Sequence, residues 1–322
     1  MKGICGLGNV GNSCYINASL QILSQIDEMN HYMLSLTRVR DVPESTLLVE
    51  WIGLMKMIRE NHGSILPHRF IEHLKQISLK KNRPEFSKRQ QEDSVEFFEF
   101  MLECLHNSLN QIDTSLPVKK TGCLQVDQYL ETNEKTDCSV ISKLFLSCIL
   151  NQYIHPETKT IEFYKLEHTY KIELSIPEKG NVTLYDCFVE TFKEEFLHGE
   201  NAWFDEKENK KKNVLKRSAM AHTPPILCIH LKRWKEDGSK KNIHIDSPLL
   251  LDITKYTIYK EKQQYALFGI INHEGGIRGG HYYSYVLREN HWFSLNDEHV
   301  QSISSEVLIH KSNYCLFYRK IK

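Results

Sequence analysis

The chain has 322 residues, of which 41 are Lys or Arg and 41 are Asp or Glu, so its formal net charge is zero. Because this balance provides no strongly basic surface, we expect no nucleic acid and no membrane as the main partner. No apolar run approaches the roughly 20 residues of a membrane span, and the start MKGICGLGN is too short and polar for a signal peptide. Nine irregularly spaced cysteines indicate free thiols in a reducing, intracellular compartment, cytoplasmic or nuclear or both.

The first element in chain order is a glycine-rich turn that leads into a helix with a cysteine at its start. The segment GLGNVGNSCYINASLQIL runs from Gly6 to Leu23, and apolar residues follow the cysteine at positions 16, 20, 23 and 26, which is helical spacing. Asn12 or Ser13 can cap this helix. Cys14 would then lie in the first turn, where unpaired backbone N–H groups and the helix dipole lower the pKa of a thiol.

A thiolate at this position would be a nucleophile, and we interpret Cys14 as one. The alternative is a buried structural cysteine, which is the commoner role of this residue type. Gly8 and Gly11 nevertheless indicate a tight backbone approach, and Asn9 offers an amide upstream of the thiol.

The first third of the chain is predicted to be mainly helical, and strands are predicted from about Tyr129 onward. Three apolar stripes predict helices, at 47–58, 70–77 and 95–109. Alternating or continuous apolar runs predict strands at 170–176, 226–231, 266–271 and 314–318, the last buried on both faces. One helix is predicted among these strands, around 183–196.

A second functional block lies near the end of the chain. The run GGHYYSYV, from Gly279 to Val286, places His281 after two glycines and before an aromatic β-like segment, and HWFSLNDEHV follows from His291 to Val300. A cysteine with a histidine and an Asn or Asp distant in sequence is the layout of a Cys-dependent hydrolase. The chain has 16 histidines, so it is the context of His281 that singles it out.

Four blocks together resemble the ubiquitin-specific proteases, a family of deubiquitinating cysteine peptidases. The segment around Cys14 resembles the cysteine box of that family, and GGHYYSYV followed by WFSLND resembles its histidine box. QEDSVEF, from Gln91 to Phe97, and PPILCIHLKRW, from Pro224 to Trp234, resemble two further blocks. The four occur in the family's order between residues 6 and 300, so the resemblance covers nearly the whole chain.

The resemblance implies an α+β fold of the papain-like cysteine peptidase type, with a helical thumb, a β-rich palm and β fingers. It also implies a single catalytic domain over residues 1–322, with the thumb in about 1–125 and the fingers and palm in about 126–322. The cysteine would lie on the thumb and the histidine on the palm, with the active site in the cleft between them.

The same resemblance implies a thiol-dependent deubiquitinase that hydrolyses the isopeptide bond after the C-terminal glycine of ubiquitin. Cys14 would be the nucleophile and His281 the general base and acid. Asn296 matches the position that orients this histidine; the adjacent Asp297 is the alternative orienting residue, or could help to position water or the oxyanion. Asn9 and the backbone N–H of Cys14 would stabilise the oxyanion.

Four further residues are expected to bind substrate. Asp93 and Glu96 fit a variant of the helix capping box; the aspartate that matches Asp93 in relatives contacts the basic C-terminal tail of ubiquitin, and we expect it to have both roles. Gly279 and Gly280 have no side chains to obstruct that tail, and Tyr282 can pack over its Gly-Gly end.

The fingers are where the sequence departs from the family. Many members bind a structural zinc there through two Cys-x-x-Cys pairs, and this chain contains no Cys-x-x-Cys. Asp205 and Glu208 stand where the second pair should be, but two carboxylates do not make a four-ligand zinc site. We interpret Cys148 and His155 as ordinary strand residues and the basic run at 210–212 as a solvated turn. We therefore expect no metal and no other cofactor.

Two other function classes remain open. One is a catalytically silent ubiquitin-binding module, against which the intact Cys14, His281, Asn296 and Asn9 argue. The other is a thiol hydrolase for a ubiquitin-like modifier or another substrate, against which the block around Asp93 argues. The expected partners are ubiquitin and ubiquitinated proteins. Since little sequence flanks the four blocks, we also expect specificity to come from the catalytic domain itself or from a separate regulatory or targeting protein.

Overall fold

The computed structural model describes residues 3–61, 63–111, 123–276 and 279–321. The helices in these ranges are α1 (Cys14–Ser24), α2 (Asp27–Leu34), α3 (Ser45–Glu60), α4 (His68–Lys80), α5 (Ser94–Leu109), α6 (Leu124–Thr136), α7 (Val140–Phe145) and α8 (Leu184–Phe192). None of the helices in this part of the chain is both long and apolar enough to cross a membrane.

The strands of the first two thirds are β1 (Gly6–Leu7), β2 (Ser64–Ile65), β3 (Ser147–Ile154), β4 (Ile161–Thr169), β5 (Ile172–Leu174), β6 (Val182–Thr183), β7 (Glu195–Leu197), β8 (Trp203–Asp205), β9 (Lys210–Lys212) and β10 (Val214–His222). Those of the last third are β11 (Ile226–Leu231), β12 (Ile245–Asp246), β13 (Leu250–Asp252), β14 (Gln264–Gly276), β15 (Gly279–Arg288), β16 (His291–Asn296), β17 (His299–Ile303) and β18 (Asn313–Lys320).

Every residue of α1 is buried; this helix packs against α5, and α3 packs against both α5 and α4. The three predicted apolar stripes are confirmed as the core-facing sides of α3, α4 and α5. Their contacts are aromatic as well as aliphatic: the rings of Trp51 and Phe70 meet edge to face, with 6.4 Å between centroids. This helical layer presents the start of α1 toward the sheet that carries the histidine block.

The large sheet has the strand order β17-β16-β15-β14-β18-β11-β5, with β13 paired to β14. Helix α1 lies directly on β15 and β14. A Cβ atom on Gly269 of β14 would come within 2.8 Å of Ile22, so the glycine permits this close contact between helix and sheet. Residues 313–318 of β18 are all buried, which confirms the prediction of a strand covered on both faces.

The long strands begin later in the chain than the sequence predicted. Tyr129 lies within α6, α7 follows it, and the first long strand begins at Ser147. Val126 and Leu130, four residues apart on α6, pack against β3 of the second sheet, and Ser139 caps α7 through a capping box with Ser142. The strand predicted at 170–176 is confined to β5, whereas those at 226–231 and 266–271 correspond to β11 and part of β14.

The second sheet has four strands in the order β4-β3-β10-β7. The helix predicted at 183–196 ends sooner, because α8 stops at Phe192 and β7 takes residues 195–197. Cys148 is a buried residue of β3, as interpreted from the sequence. His155 instead lies in the turn after β3, where its Nδ1 accepts a hydrogen bond of 3.2 Å from the backbone N–H of Thr158.

The hairpin β8–β9 occupies the region where the family's zinc was expected. The run at 210–212 is a strand, not the predicted solvated turn. Lys212 is largely buried there, with its Nζ 2.7 Å from Asp205 and 2.5 Å from Glu208. Within the described ranges, no group of three or more His, Cys, Asp or Glu side chains could hold a metal ion. Asp205 and Glu208, the two carboxylates at the expected ligand positions, are instead paired with Lys212.

Candidate active site

Two backbone hydrogen bonds hold the glycine-rich turn that precedes α1. The backbone N–H of Leu7 donates to the carbonyl of Asp297 at 2.9 Å, and that of Gly8 donates to the carbonyl of Ile65 at 2.8 Å. A Cβ on Gly8 would come within 2.5 Å of the exposed Leu66 side chain, whereas one on Gly11 would make only an ordinary contact of 3.7 Å with Arg89. The turn is thus fixed in space before α1 begins.

Cys14 is the first residue of α1 and its side chain is fully buried. Ser13 occupies the N-cap position, but its hydroxyl makes no capping bond to α1; it accepts from the backbone N–H of Val10 at 2.8 Å. The expected low thiol pKa is wrong for this structure: burial raises the pKa of Cys14, and the helix start does not compensate for that desolvation. The side-chain partner of the thiol is Gln91, with Sγ 3.3 Å from Oε1.

His281 lies near the start of β15 and is oriented by β16. Its Nε2 is 2.6 Å from Oδ1 of Asn296, a short hydrogen bond in which the ring N–H donates to the amide oxygen. The neutral ring then keeps Nδ1 unprotonated, as a general base requires. The structure therefore pairs the predicted histidine with the predicted Asn.

Asp297 has different partners. One carboxylate oxygen accepts from Nδ2 of Asn9 at 2.9 Å, and the other accepts from Nδ2 of Asn17 at 2.8 Å. The Asn9 Oδ1 in turn accepts from the backbone N–H of Ser13 at 3.1 Å. This geometry gives Asp297 a place beside the proposed oxyanion donor, while the bond to His281 comes from Asn296.

Asp93 is the N-cap of α5, as predicted. Its Oδ1 accepts from the backbone N–H groups of Val95 at 2.7 Å and Glu96 at 3.1 Å, and its Oδ2 accepts from the hydroxyl of Tyr314. The reciprocal half of the capping box is absent, since the Glu96 carboxylate lies 3.5 Å from the guanidinium of Arg83. Both oxygens of Asp93 are therefore engaged in the structure.

The three residues expected around the Gly-Gly end have distinct surroundings. Gly279 is exposed and faces open space, whereas a Cβ on Gly280 would come within 2.1 Å of the His273 ring. The ring of Tyr282 is 5% exposed and packs on His273, with 4.5 Å between centroids, and on Tyr314. Most of the Tyr282 ring is thus turned into the core, because it occupies the inward-facing position next to His281 on β15.

Two adjoining cavities lie between the helices and the β14–β15 hairpin. The larger has a volume of about 730 Å³ and the smaller about 310 Å³. Gln91 and Gly280 line both cavities. The larger is also lined by Asn12, Arg89, Glu274 and His281. The smaller is also lined by Glu92, Asp93, Glu96, Trp234, His273 and Tyr282.

Several residues at the site were not predicted from the sequence. Gln91 belongs to the quoted QEDSVEF block, and Asn17 is a polar residue one helical turn after Cys14, so both carried a signal. Lys240 carried none; its Nζ donates to the carbonyl of His273 at 2.6 Å and contacts the ring Nδ1 of the same residue at 2.8 Å. The fold alone brings Lys240 to His273, because the two are 33 positions apart in sequence.

Comparison with known proteins places this site in a family. The family model described as "Ubiquitin carboxyl-terminal hydrolase" matches residues 5–318. Ubiquitin carboxyl-terminal hydrolase 2 of Bos taurus is 27% identical, over 98% of this chain and 55% of its own length. Ubiquitin carboxyl-terminal hydrolase 17-like protein C of Mus musculus is 30% identical, over 98% of this chain and 54% of its own length. The chain thus spans about half the length of the curated relatives that it matches.

Solved structures show the same fold. The SAGA deubiquitinating module of Ubp8, Sgf11, Sus1 and Sgf73 bound to monoubiquitin matches with a TM-score of 0.78 at 21% identity, over 100% of this chain and 70% of that one. The same module bound to ubiquitin aldehyde matches with a TM-score of 0.77 at 22% identity, over 100% and 70%. These matches confirm the α+β, papain-like architecture expected from the four blocks. With a family model that covers almost all of its residues, the chain belongs to the ubiquitin carboxyl-terminal hydrolase family.

Proposed function

We propose that this chain is a cysteine-type deubiquitinase that hydrolyses the isopeptide bond after the C-terminal glycine of ubiquitin. The observation that carries the proposal is the pairing of His281 Nε2 with Asn296 Oδ1 at 2.6 Å, on the wall of a cavity that also contains Gln91, the partner of the Cys14 thiol. These contacts support the assignment of Cys14, His281 and Asn296 as nucleophile, base and orienting amide of the Cys-His-Asn type.

The first half of the reaction forms a thioester. His281 takes the thiol proton of Cys14 at Nδ1, and the sulfur attacks the carbonyl carbon of the terminal glycine. The C–N bond of the isopeptide then breaks, and the imidazolium returns the proton to the departing lysine amine. Asn296 keeps Nε2–H directed at its amide oxygen throughout, which holds the ring in one tautomer.

The second half releases ubiquitin. His281 takes a proton from water, the hydroxide attacks the thioester carbonyl, and the thiolate leaves and recovers a proton, which gives a free carboxylate. Each attack places negative charge on the carbonyl oxygen. The backbone N–H of Cys14 and the second N–H of the Asn9 amide would donate to it, with Asp297 fixing the amide through the first N–H. Removing one such donor typically costs about 100- to 1000-fold in rate.

The substrate class follows from the smaller cavity. Glu92, Asp93 and Glu96 give it three carboxylates, beside the glycine position Gly280. A basic chain that ends in Gly-Gly, such as the ubiquitin tail, complements both the charge and the narrow passage. Gly279, Gly280 and Tyr282 would border the tail as it approaches the thiol.

We also propose the partners, the cellular location and the domain extent of this activity. Ubiquitin and ubiquitinated proteins are the proposed partners, together with a possible regulatory protein, since the solved relatives are complexes with Sgf11, Sus1 and Sgf73. None of the nine cysteines, all within the described ranges, forms a disulfide, and eight of them are buried, which supports an intracellular site of action, cytoplasmic or nuclear or both. We also infer one catalytic domain over residues 1–322, with the thumb in about 1–125; α7 returns to pack on α5 of the thumb.

Reaction with ubiquitin that carries a C-terminal electrophile tests this function. We expect a covalent adduct, located by mass spectrometry at Cys14, and cleavage of a lysine-linked ubiquitin conjugate. A silent binding module would bind ubiquitin without forming the adduct, and a hydrolase for another modifier would do neither. Either result would contradict the proposal.

The matched control is Cys14→Ser, which is nearly isosteric. This variant should lose hydrolysis while it retains ubiquitin binding and the melting temperature of the parent. Substantial hydrolysis by the variant would assign the nucleophile to another cysteine.

A further inference from the structure

A chain of hydrogen bonds leads from a backbone carbonyl to the nucleophile. The amide nitrogen of Asn12 donates to the carbonyl of Arg89 at 3.1 Å. The amide nitrogen of Gln91 donates to Oδ1 of Asn12 at 3.3 Å, and the thiol of Cys14 donates to Oε1 of Gln91 at 3.3 Å. No step of the mechanism above uses Asn12 or Gln91.

The direction of this series of hydrogen bonds is fixed by the Arg89 carbonyl at its far end. A backbone carbonyl can only accept, so Asn12 must direct its nitrogen at Arg89 and its oxygen at Gln91. Gln91 must then direct its own nitrogen at that oxygen, which leaves its oxygen facing the sulfur. Reversing either amide would bring two acceptors or two donors together. An oxygen at this position bonds to a thiol and repels a thiolate.

The backbone and the cavities support the same arrangement. Asn12 has a φ of 55°, a left-handed conformation that Asn adopts more readily than most residues, and this conformation brings its short amide beside Arg89. Gln91 lies where the larger and smaller cavities adjoin, opposite Gly280. Cys14 itself is 0% exposed. The Gln91 side chain is therefore a group that lines both cavities and contacts the buried sulfur, 3.3 Å away.

We propose that Asn12 and Gln91 are positioning residues that keep the resting nucleophile as a covered thiol, through the directed hydrogen bonds from Cys14 to the Arg89 carbonyl. The sulfur becomes reactive when the Gln91 side chain moves away from it. The identity of the segment that moves it rests on the proposed function: it would be the tail of ubiquitin, which must pass between Gln91 and Gly280. The holding of the thiol does not depend on the substrate.

The test measures alkylation of Cys14 by iodoacetamide without ubiquitin, followed by mass spectrometry of the peptide that contains it. Gln91→Met keeps the length of the side chain but removes the acceptor, and it should accelerate alkylation roughly two- to fivefold, the worth of one weak hydrogen bond. A rate equal to or below that of the parent would overturn the proposal.

Two variants of Asn12 separate positioning from a loss of structure. Asn12→Gly tolerates the left-handed backbone but frees Gln91, and should accelerate alkylation in the same direction. In the double variant Asn12→Gly/Gln91→Met, alkylation should be no faster than in Gln91→Met alone, because Asn12 acts on the thiol only through Gln91. No acceleration in Asn12→Gly, or accelerations that multiply in the double variant, would mean that Asn12 does not direct Gln91. Because no ubiquitin is present, these outcomes are independent of whether the chain proves to be a deubiquitinase.

Discussion

Asn296 and Asp297 are adjacent in sequence but act on different parts of the site. Asn296 bonds to the ring of His281, whereas Asp297 bonds to the amides of Asn9 and Asn17. A strand reverses at this point: Asn296 ends β16, and Asp297 has a φ of 49° in the turn that follows. The turn therefore directs one side chain at the His281 ring and the next at the amides of Asn9 and Asn17.

If Asn296 orients the base, Asn296→Ala should lower kcat by about tenfold or more and by more than Asp297→Ala does. Steady-state kinetics on a ubiquitin conjugate would measure both. Asp297→Asn is the matched control, because Asn tolerates the positive φ of 49° and keeps one acceptor oxygen. The reverse ranking would assign the orienting role to Asp297, and equal large losses would show that the two act together.

Asp93 combines a helix cap with a proposed contact to the ubiquitin tail, and the two roles can be separated. Asn caps a helix about as well as Asp, so Asp93→Asn should keep the melting temperature while raising KM for a ubiquitin substrate severalfold. Asp93→Ala should also lose about 1 kcal/mol of stability with the cap. If Asp93→Asn matches the parent in both KM and melting temperature, the charge does not recognise substrate.

At the scale of elements, the helices that could be predicted were those with their own apolar stripe. The stripes of α3, α4 and α5 are visible because each helix buries one face against the helical core. α7 has six residues, too few for a periodic signal, and α6 depends on contacts of Val126 and Leu130 with a distant sheet. The bond of Asp93 to Tyr314 joins positions 221 residues apart, and no local pattern encodes such a contact.

The same distinction applies to the candidate site. Cys14, His281, Asn296 and Asp93 lie in blocks whose local sequence already indicates their chemistry. The structure pairs His281 with Asn296, and it pairs the Cys14 thiol with Gln91, which lines the same cavity as His281. The raised pKa of Cys14 could not be read from that pattern, because it depends on burial under segments that are remote in the chain. Local sequence thus indicated a helix-start thiol, and burial by tertiary packing raised its pKa.

The fingers supply a prediction about metal. The positions that match one zinc-ligand pair hold Asp205 and Glu208, and Lys212 forms an ion pair with each of them. We expect the purified protein to contain no stoichiometric zinc and a chelator to leave its melting temperature unchanged, since stripping a structural zinc would remove folding free energy. Metal analysis by mass spectrometry and thermal unfolding with and without chelator would check this. One tightly held zinc per chain would contradict it.

On the scale of the whole molecule, His273 contacts residues from several distant segments of the chain. Its ring is buried against Tyr282 and Tyr314, its Nδ1 contacts Lys240, and Gly280 packs against its edge. Burial and the nearby charge of Lys240 lower the pKa of His273 to about 4. The folded protein therefore keeps this ring neutral at a pH where the unfolded chain would protonate it.

This difference predicts how stability depends on pH. Because the unfolded chain binds a proton at His273 below about pH 6.5 and the folded protein does so near pH 4, the contribution is fully present above pH 6.5 and falls between pH 6.5 and 4. At pH 5 the loss from this residue is about 2 kcal/mol. His273→Gln should show a smaller fall in unfolding free energy between pH 7 and 5 than the parent. An identical fall, measured by denaturant unfolding, would contradict the assignment.

The position of β18 in the middle of the large sheet has a consequence for how the chain reaches its native state. This strand lies between β14 and β11, so the sheet stays divided until residues 313–320 are in place. Asp297 likewise joins Asn17 across 280 positions. Such non-local pairing raises the contact order and slows folding, because the entropy of large loops is lost before the contacts form. During synthesis, the helical layer can collapse early, whereas the two parts of the sheet join only after β18 has been inserted between β14 and β11.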